Sequence, residues 1–357
     1  MKIIHCSDFH LDSRMESNLT KQQAAQRNTE LREAFSDLAD YAGEQGVSVV
    51  LIAGDLFDTA RISSTTVGCV LDAIARNPHV DFLYLRGNHD ESSRAFAGRE
   101  LPDNLKLFSD RWQHHRYGNV VISGVELSPE NQESIYHDLR LDAADVNIVM
   151  LHGQESSRPG ENFVCIPALR NRNIRYLALG HLHSYAQQPL DHSGVYCYCG
   201  CPEGRGFDEC GEKGFVLLTI SGDRLRTEFV PFARRQLHEI RVDITGQTQA
   251  NRIYAAMLDA AKDVSRRDLV KFVLTGTYTP QTNKDPGYLQ NALSGKYYFV
   301  KIADESKLLL EPASYENDVS LKGEFTRLVM GSALSDGEKE RILCAGLQAL
   351  RGEEITL

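Results

Sequence analysis

Over the first 235 residues the apolar positions gather into short runs of β-branched and aliphatic side chains. These are Lys2–Cys6, Val47–Ala53, Asp81–Leu85, Val120–Val125, Asn147–Leu151, Ile174–Leu179, Val195–Tyr198 and Phe215–Ile220. Continuous rather than alternating apolar character predicts strands buried on both faces. Between the early runs, Lys21–Glu44 and Ser64–Arg76 have helical spacing, with acidic and basic side chains expected on the polar face of the first. Strands separated by helices predict a layered α/β domain over residues 1–235.

The pattern changes after the strand-like Arg226–Val230, near Pro231–Gln236. Leu237–Ile244, Leu269–Tyr278 and Tyr297–Ile302 read as strands, and Ala250–Lys262 and Tyr288–Leu293 as helices. This predicts a small α+β unit over 236–315. Glu316–Met330 and Asp336–Leu350 read as two amphipathic helices of a tail over 316–357, with Asp336 as N-cap. There is no internal repeat.

Composition narrows the class. With 357 residues, 42% hydrophobic and 25% charged, the chain is neither disordered nor low in complexity. No apolar run approaches the ~18 residues that cross a bilayer, and the apolar stretch at the start is too short for a signal peptide. A cytoplasmic protein is expected, so the eight cysteines read as thiols. Net charge is −10, which by itself argues against the basic footprint of a nucleic-acid binder. The excess is uneven: residues 236–357 carry 15 basic and 17 acidic side chains, residues 1–235 carry 24 and 32. Metal ions held in the acidic half would neutralise part of it.

Five segments point to such ions, each an apolar strand followed at once by His, Asp or Asn. They are Asp8-Phe9-His10, Gly54-Asp55, Gly87-Asn88-His89-Asp90, Leu151-His152-Gly153 and Gly180-His181-Leu182-His183. Ligands of α/β sheets collect outside the carboxyl ends of strands, so these segments are expected to share one rim. Carboxylate, imidazole and amide donors suit Mn²⁺, Fe²⁺ or Zn²⁺ without a cysteine. Asp8, His10, Asp55, Asn88, His152, His181 and His183 are too many for one catalytic ion and fit two that share Asp55. Two ions roughly 3.5–4 Å apart suit a phosphoryl displacement. Gly54, Gly87 and Gly180 are expected to let the backbone turn sharply. Any one piece alone is an ordinary turn or cap; the ordered set is not.

This set resembles the calcineurin-like metallophosphoesterases and, within them, the DNA-repair exonucleases of the SbcD type. Further marks are His10-Leu11 and Gly54-Asp55-Leu56-Phe57-Asp58. The segment Gly200-Cys201-Pro202-Glu203-Gly204-Arg205-Gly206-Phe207, with Gly211-Glu212-Lys213-Gly214, is similar to a shorter bacterial subgroup. The resemblance covers residues 1–235 well and the remainder loosely. It implies a β-sandwich metallophosphoesterase domain flanked by helices, an α+β capping domain and a helical C-terminal tail. It assigns one ion to Asp8, His10, Asp55 and His183 and the other to Asp55, Asn88, His152 and His181. Mn²⁺ is the implied activator, with Fe, Zn and Mg as alternatives. His89 would contact the scissile phosphate and protonate the leaving oxygen, and Asp90 would hold its imidazole in the right tautomer.

The implied reaction is metal-dependent hydrolysis of a phosphodiester. The implied partners are DNA, an SbcC-type ATPase and a second copy of the chain. Phe325, Leu328, Val329, Ile342, Leu343, Leu347 and Leu350 on the terminal helices resemble the segment that docks on such an ATPase; otherwise they pack on their own domain. A phosphatase or a small-molecule (cyclic nucleotide) phosphodiesterase with the same centre is the alternative, although the residues beyond 235 are more than a small substrate requires. A non-catalytic scaffold is disfavoured by the complete ligand set with His89.

Two features stay outside this reading. Cys197, Cys199 and Cys201 alternate along one strand face, with Cys210 nearby, and are expected to pack as small apolar groups rather than hold zinc. Basic clusters at Arg170, Arg172 and Arg175, at Arg234 and Arg235, and at Arg266, Arg267 and Lys271 read as solvated faces by default. If DNA is the substrate, Arg266, Arg267 and Lys271 are the candidates to contact it.

Overall fold

The structure, a computed structural model, describes residues 1–357 except 16–18, 59–61, 91–94, 280–281, 310–314, 316–317 and 351–357. It divides into two compact units, Met1–Leu237 and His238–Leu357.

In the first unit, one sheet contains β1 (Lys2–Cys6), β2 (Val49–Ala53), β3 (Asp81–Leu85), β4 (Leu105–Leu107), β13 (Gly214–Ser221) and β14 (Arg224–Pro231). Its order is β14-β13-β1-β2-β3-β4, with β1 to β4 parallel and β13 antiparallel to both neighbours. The second sheet contains β5 (Gln113–Tyr117), β6 (Val120–Gly124), β7 (Val146–His152), β10 (Ile174–Gly180), β11 (Ala186–Pro189) and β12 (Val195–Tyr198). Its order is β11-β12-β10-β7-β6-β5, and β6, β7, β10 and β12 are parallel. Short strands β8 (Gln154–Ser156) and β9 (Phe163–Cys165) pair with each other.

Side chains alternate across each strand, so each sheet buries both faces. Val49, Leu51 and Ala53 meet Ile148, Met150, Tyr176 and Ala178 in the core between the sheets. Val50 and Ile52 face the other way, with Phe82 and Tyr84, under α1 (Lys21–Glu44) and α2 (Ser64–Ala75). α1 begins at a capping box of Thr20 and Gln23, and its Leu31, Phe35, Leu38 and Ala42 line one face. Ser63 caps α2 by accepting the Thr66 N–H. On the far side of the second sheet, Val149, Leu151 and Leu177 pack on α3 (Ser134–Asp138) and α4 (Ile166–Leu169) through Ile135, Tyr136 and Leu169. The unit is a helix–sheet–sheet–helix sandwich, a mixed α/β fold. Cys197 and Cys199 belong to the inter-sheet core, all eight cysteines are free, and burial pushes the Cys197 thiol up to about 12.

One reading of α1 is corrected. Arg27 and Glu30 do not join the solvated face; both are buried. Arg27 donates to Glu30 at 2.6 Å, to Glu203 at 3.1 Å and to the Gly204 carbonyl at 2.8 Å, while Arg235 donates to Glu30 at 2.7 Å. The apolar spacing of α1 gives no sign of partners about 175 residues away. Removing one member of a buried ionic network leaves an unpaired charge, at about 3–5 kcal/mol. Arg27→Met is therefore expected to destabilise the protein by that order, read as a drop in the denaturant midpoint; an unchanged midpoint would mean the network contributes nothing.

In the second unit, β15 (Leu237–Asp243), which starts at the division, β16 (Leu269–Thr275) and β18 (Phe299–Asp304) form a sheet in the order β15-β16-β18. β17 (Thr277–Tyr278) pairs with β19 (Lys307–Leu308). The helices are α5 (Ala250–Ala260), α6 (Pro286–Leu293), α7 (Leu321–Met330) and α8 (Asp336–Ala349). The terminal helices pack within this unit: Leu347 and Phe325 join Ile253, Phe272 and Leu293 in its core. Leu343 and Val329 are buried too, whereas Leu321, Leu328, Met330, Ile342 and Leu350 are exposed. The helix expected from Glu316 is observed from Leu321, and 316–317 lie outside the described residues. Asp336 is not the N-cap of α8. The Ser335 carbonyl accepts the N–H groups of Glu338 and Lys339, and its hydroxyl donates to the Glu338 carboxylate, so Ser335 is the cap and Asp336 the first helical residue. Among the described residues, no helix is long and apolar enough to cross a membrane.

Candidate metal centre

The seven ligand candidates come from the carboxyl ends of five strands, β1, β2 and β3 of one sheet and β7 and β10 of the other. The rims interlock: Asp8 N–H donates to the Gly54 carbonyl and His10 N–H to the Asp55 carbonyl, both at 3.0 Å, and Gly180 pairs with His152 across β10 and β7. Asp8, His10, Asp55 and His181 hold positive φ of 56°, 47°, 51° and 104°. Such conformations cost a non-glycine residue roughly 1–3 kcal/mol and gather at functional sites. Of the three glycines expected to turn the chain, only Gly54 has positive φ. Gly180 is glycine for want of room, since a Cβ there would lie 1.9 Å from the Ala53 carbonyl oxygen.

The donors form three groups whose ligand atoms lie within 4.8 Å of one another: Asp8, His10 and His183; Asp8, Asp55 and His152; and His10, Asp58 and His89. In the first, His10 Nδ1 donates to Asp58 Oδ1 at 2.8 Å and His183 Nδ1 to Glu209 Oε1 at 2.7 Å. With both Nδ1 hydrogens committed, the two Nε2 atoms face each other at 3.1 Å. Neutral imidazoles would set two lone pairs against each other there, so the geometry asks for a cation between them. In the second, His152 Nδ1 donates to the Ala53 carbonyl at 2.8 Å and presents Nε2 to Asp55 Oδ2 at 3.4 Å. Asn88 Oδ1 lies 3.1 Å from both His152 Nε2 and His181 Nδ1. Asp55 Oδ2 is also 3.6 Å from His10 Nε2, between the two groups. Asp8, expected to serve one ion, reaches both groups, and it accepts the His181 N–H at 3.0 Å. This donor set fits two divalent ions.

The same contacts set the protonation of these side chains. Burial opposes the charge on Asp55, but the His152 and His10 imidazoles outweigh it and hold the carboxyl well below the carboxylate range. Burial also depresses His152, yet Asp55 raises it to about 9. Burial lowers His10 in spite of Asp58.

The role expected of Asp90 is corrected. Its carboxylate accepts the backbone N–H groups of Leu56, Phe57 and Gly87 at 3.0, 2.7 and 3.3 Å, and burial followed by the Asp55 charge pushes it up to about 7. It braces the loop after β2 and does not face the His89 ring. The carboxylate near His89 Nδ1 is Asp58, at 3.4 Å. Asp58 stands in the second motif and Glu209 between the two glycine-rich stretches, but only spatial proximity to His10 and His183 reveals their work.

Arg266 and Arg267 are exposed in the second unit, before β16, whereas Lys271 donates to Glu239 at 2.6 Å. Arg234 bonds to Glu33 and Asp37, so that cluster is neutralised within the first unit.

Residues 1–185, more than half of the chain, match the family model of the calcineurin-like phosphoesterases. The chain belongs to this family of phosphoester hydrolases, whose members use a dinuclear divalent metal centre. It is 26% identical over 297 residues to the uncharacterized metallophosphoesterase YhaO of Bacillus subtilis, covering 78% of this chain and 72% of that protein. It is 26% identical over 261 residues to the DNA double-strand break repair protein Mre11 of Methanopyrus kandleri, covering 64% of this chain and 56% of the relative. The chain thus spans little more than half of that relative. A dimetal phosphatase structure from Danio rerio overlays 64% of this chain and 95% of its own, at TM-score 0.41 and 13% identity.

Proposed function

We propose that this chain is a two-metal phosphodiesterase acting on DNA, an exonuclease or endonuclease of DNA repair working with an SbcC-type ATPase. The observation that carries the hydrolytic part is the pair of Nε2 atoms facing at 3.1 Å with Asp55 beside them. Support for DNA comes from the relatives named as double-strand break repair proteins.

In this reading Asp8, His10, Asp55 and His183 hold one ion and Asp55, Asn88, His152 and His181 the other, with Mn²⁺ as the activator and Fe, Zn or Mg as alternatives. Bound divalent ions would supply positive charge to the attacking and leaving oxygens and acidify water. Asp58 and Glu209 keep the Nε2 atoms of His10 and His183 turned inward. His89, exposed at the rim, meets the scissile phosphate and gives its proton to the leaving oxygen. The exposed Leu328 and Ile342 form the docking face for the ATPase.

A second reading, a small-molecule phosphodiesterase, is favoured by the net charge of −10 and the internal pairing of Lys271, Arg234 and Arg235. The full chain with Mn²⁺ is tested on linear duplex DNA, single strands and a chromogenic phosphodiester, with and without the candidate ATPase. Cleavage of DNA supports the proposal; cleavage of the small ester alone replaces it with the second reading. Arg266→Ala with Arg267→Ala is expected to reduce the slope of log affinity for DNA against log salt by roughly 2. An identical slope returns that cluster to a solvated face.

A further inference from the structure

Arg205, in the glycine-rich segment of the first unit, has a side chain only 17% exposed and reaches two carboxylates at once. Nη1 donates to Asp58 Oδ1 at 3.3 Å and Nη2 to Glu209 Oε1 at 3.0 Å, while its backbone N–H donates to Glu209 Oε2 at 2.7 Å. These are the same two side-chain oxygens that accept from His10 Nδ1 and His183 Nδ1. One guanidinium therefore sits between the two anions that aim the facing imidazoles. Imidazole and carboxylate rotate over broad, shallow torsional wells, so the aim of each ring depends on how firmly its carboxylate is held. Asp58 Oδ1 also stands 3.4 Å from His89 Nδ1, so the clamp restrains the group that faces the rim histidine.

We propose that Arg205 is a positioning residue for the ion between Asp8, His10 and His183, clamping Asp58 and Glu209 so that both Nε2 atoms meet at one point. The inference rests on reading this site as a metal centre and not on the choice of DNA as substrate.

Mn²⁺ alone is titrated calorimetrically into the metal-free full chain, comparing wild type, Arg205→Met and Arg205→Lys. Loss of an outer partner of a metal ligand weakens affinity 10–100-fold. Arg205 stands one bond further out and its own charge opposes a cation, so Arg205→Met is expected to weaken one of the two binding events by the lower end of that range, about 10-fold, and leave the other intact. Arg205→Lys keeps the charge without the two-pronged reach and is expected to recover part of the loss. With Co²⁺ as probe, the visible absorption of the weakened site shifts while the far-ultraviolet circular dichroism is unchanged. Two unchanged binding events in Arg205→Met overturn the proposal, as does an equal loss at both accompanied by a lower melting temperature. If Arg205→Met does not fold, Glu209→Gln, which keeps the side chain's size, must weaken the same single event, and unchanged affinity there overturns the clamp. Selective loss in a chain inactive on DNA would refute the DNA reading alone; a wild type that binds no Mn²⁺ would refute both.

Discussion

Replacing Asp55 with alanine is expected to strip both divalent ions from the protein and reduce hydrolysis to background. Asp55 Oδ2 lies 3.4 Å from His152 Nε2 and 3.6 Å from His10 Nε2, and those histidines belong to two different donor groups. Its other oxygen accepts the His89 N–H at 2.9 Å, so the carboxylate also fixes the main chain that carries the rim histidine. If Asp55 is shared by two ions, as proposed, it cannot be removed from one of them alone. Its loss should cost more than the 10–100-fold typical of an outer partner, so each ion is expected to weaken by at least about 100-fold. Asp55→Asn separates the contributions: the amide oxygen can still accept the His89 N–H, but the charge that balances the cations is gone. Elemental analysis after dialysis against Mn²⁺ reads the stoichiometry directly. One full equivalent retained by Asp55→Ala would show that the two sites do not share this residue.

What the sequence makes legible is whatever is local. Lys2–Cys6, Asp81–Leu85 and Val195–Tyr198 are strands with the expected bounds, because the side chains that a sheet packs stand next to one another in the chain, most plainly in the apolar run Phe82–Leu85. Lys21–Glu44 is a helix with the expected bounds, because its apolar spacing is local to the chain. The strand Gln113-His114-His115-Arg116-Tyr117 carries no such mark. It is the edge of its sheet and exposes mostly polar side chains, so nothing in its pattern separates it from a loop. Arg27 is the helical counterpart: its burial depends on Glu203, and no periodicity encodes a partner supplied by another segment.

The site divides along the same line. The seven donor residues sit at strand ends where a sheet presents ligands, and that placement follows from order along the chain. The outer partners do not follow, because Asp58, Arg205 and Glu209 are joined only by where the folded loops bring them. Asp90, adjacent to His89 in sequence, turns instead to the Leu56 and Phe57 N–H groups. Adjacent residues in an irregular loop need not share a direction, and the strongest unsatisfied donors nearby claimed the carboxylate first.

If the chain hydrolyses DNA with two ions as proposed, His89→Ala is expected to retain both ions and to slow that hydrolysis by about 10²–10⁴-fold, the span of general acid catalysis. The imidazole is 44% exposed, packs edge-on against His10 with centroids 4.8 Å apart, and has its Nδ1 3.4 Å from Asp58 Oδ1. The backbone N–H to Asp55 survives the substitution, so the ligand geometry beneath should persist. Metal content provides a sharp control, because His89 also belongs to the donor group with His10 and Asp58. If that group held an ion, alanine would lose one equivalent and the acid role would fall. Comparison of leaving groups provides the second control. The 3′- or 5′-oxygen of DNA departs as a strongly basic alkoxide and needs a proton, whereas a nitrophenolate departs without one. The penalty should therefore be large on DNA and small on a nitrophenyl diester measured with the same protein and metal. Equal losses on both substrates would assign His89 to holding the phosphate rather than to protonating the leaving oxygen, and no loss on either would take it out of the reaction.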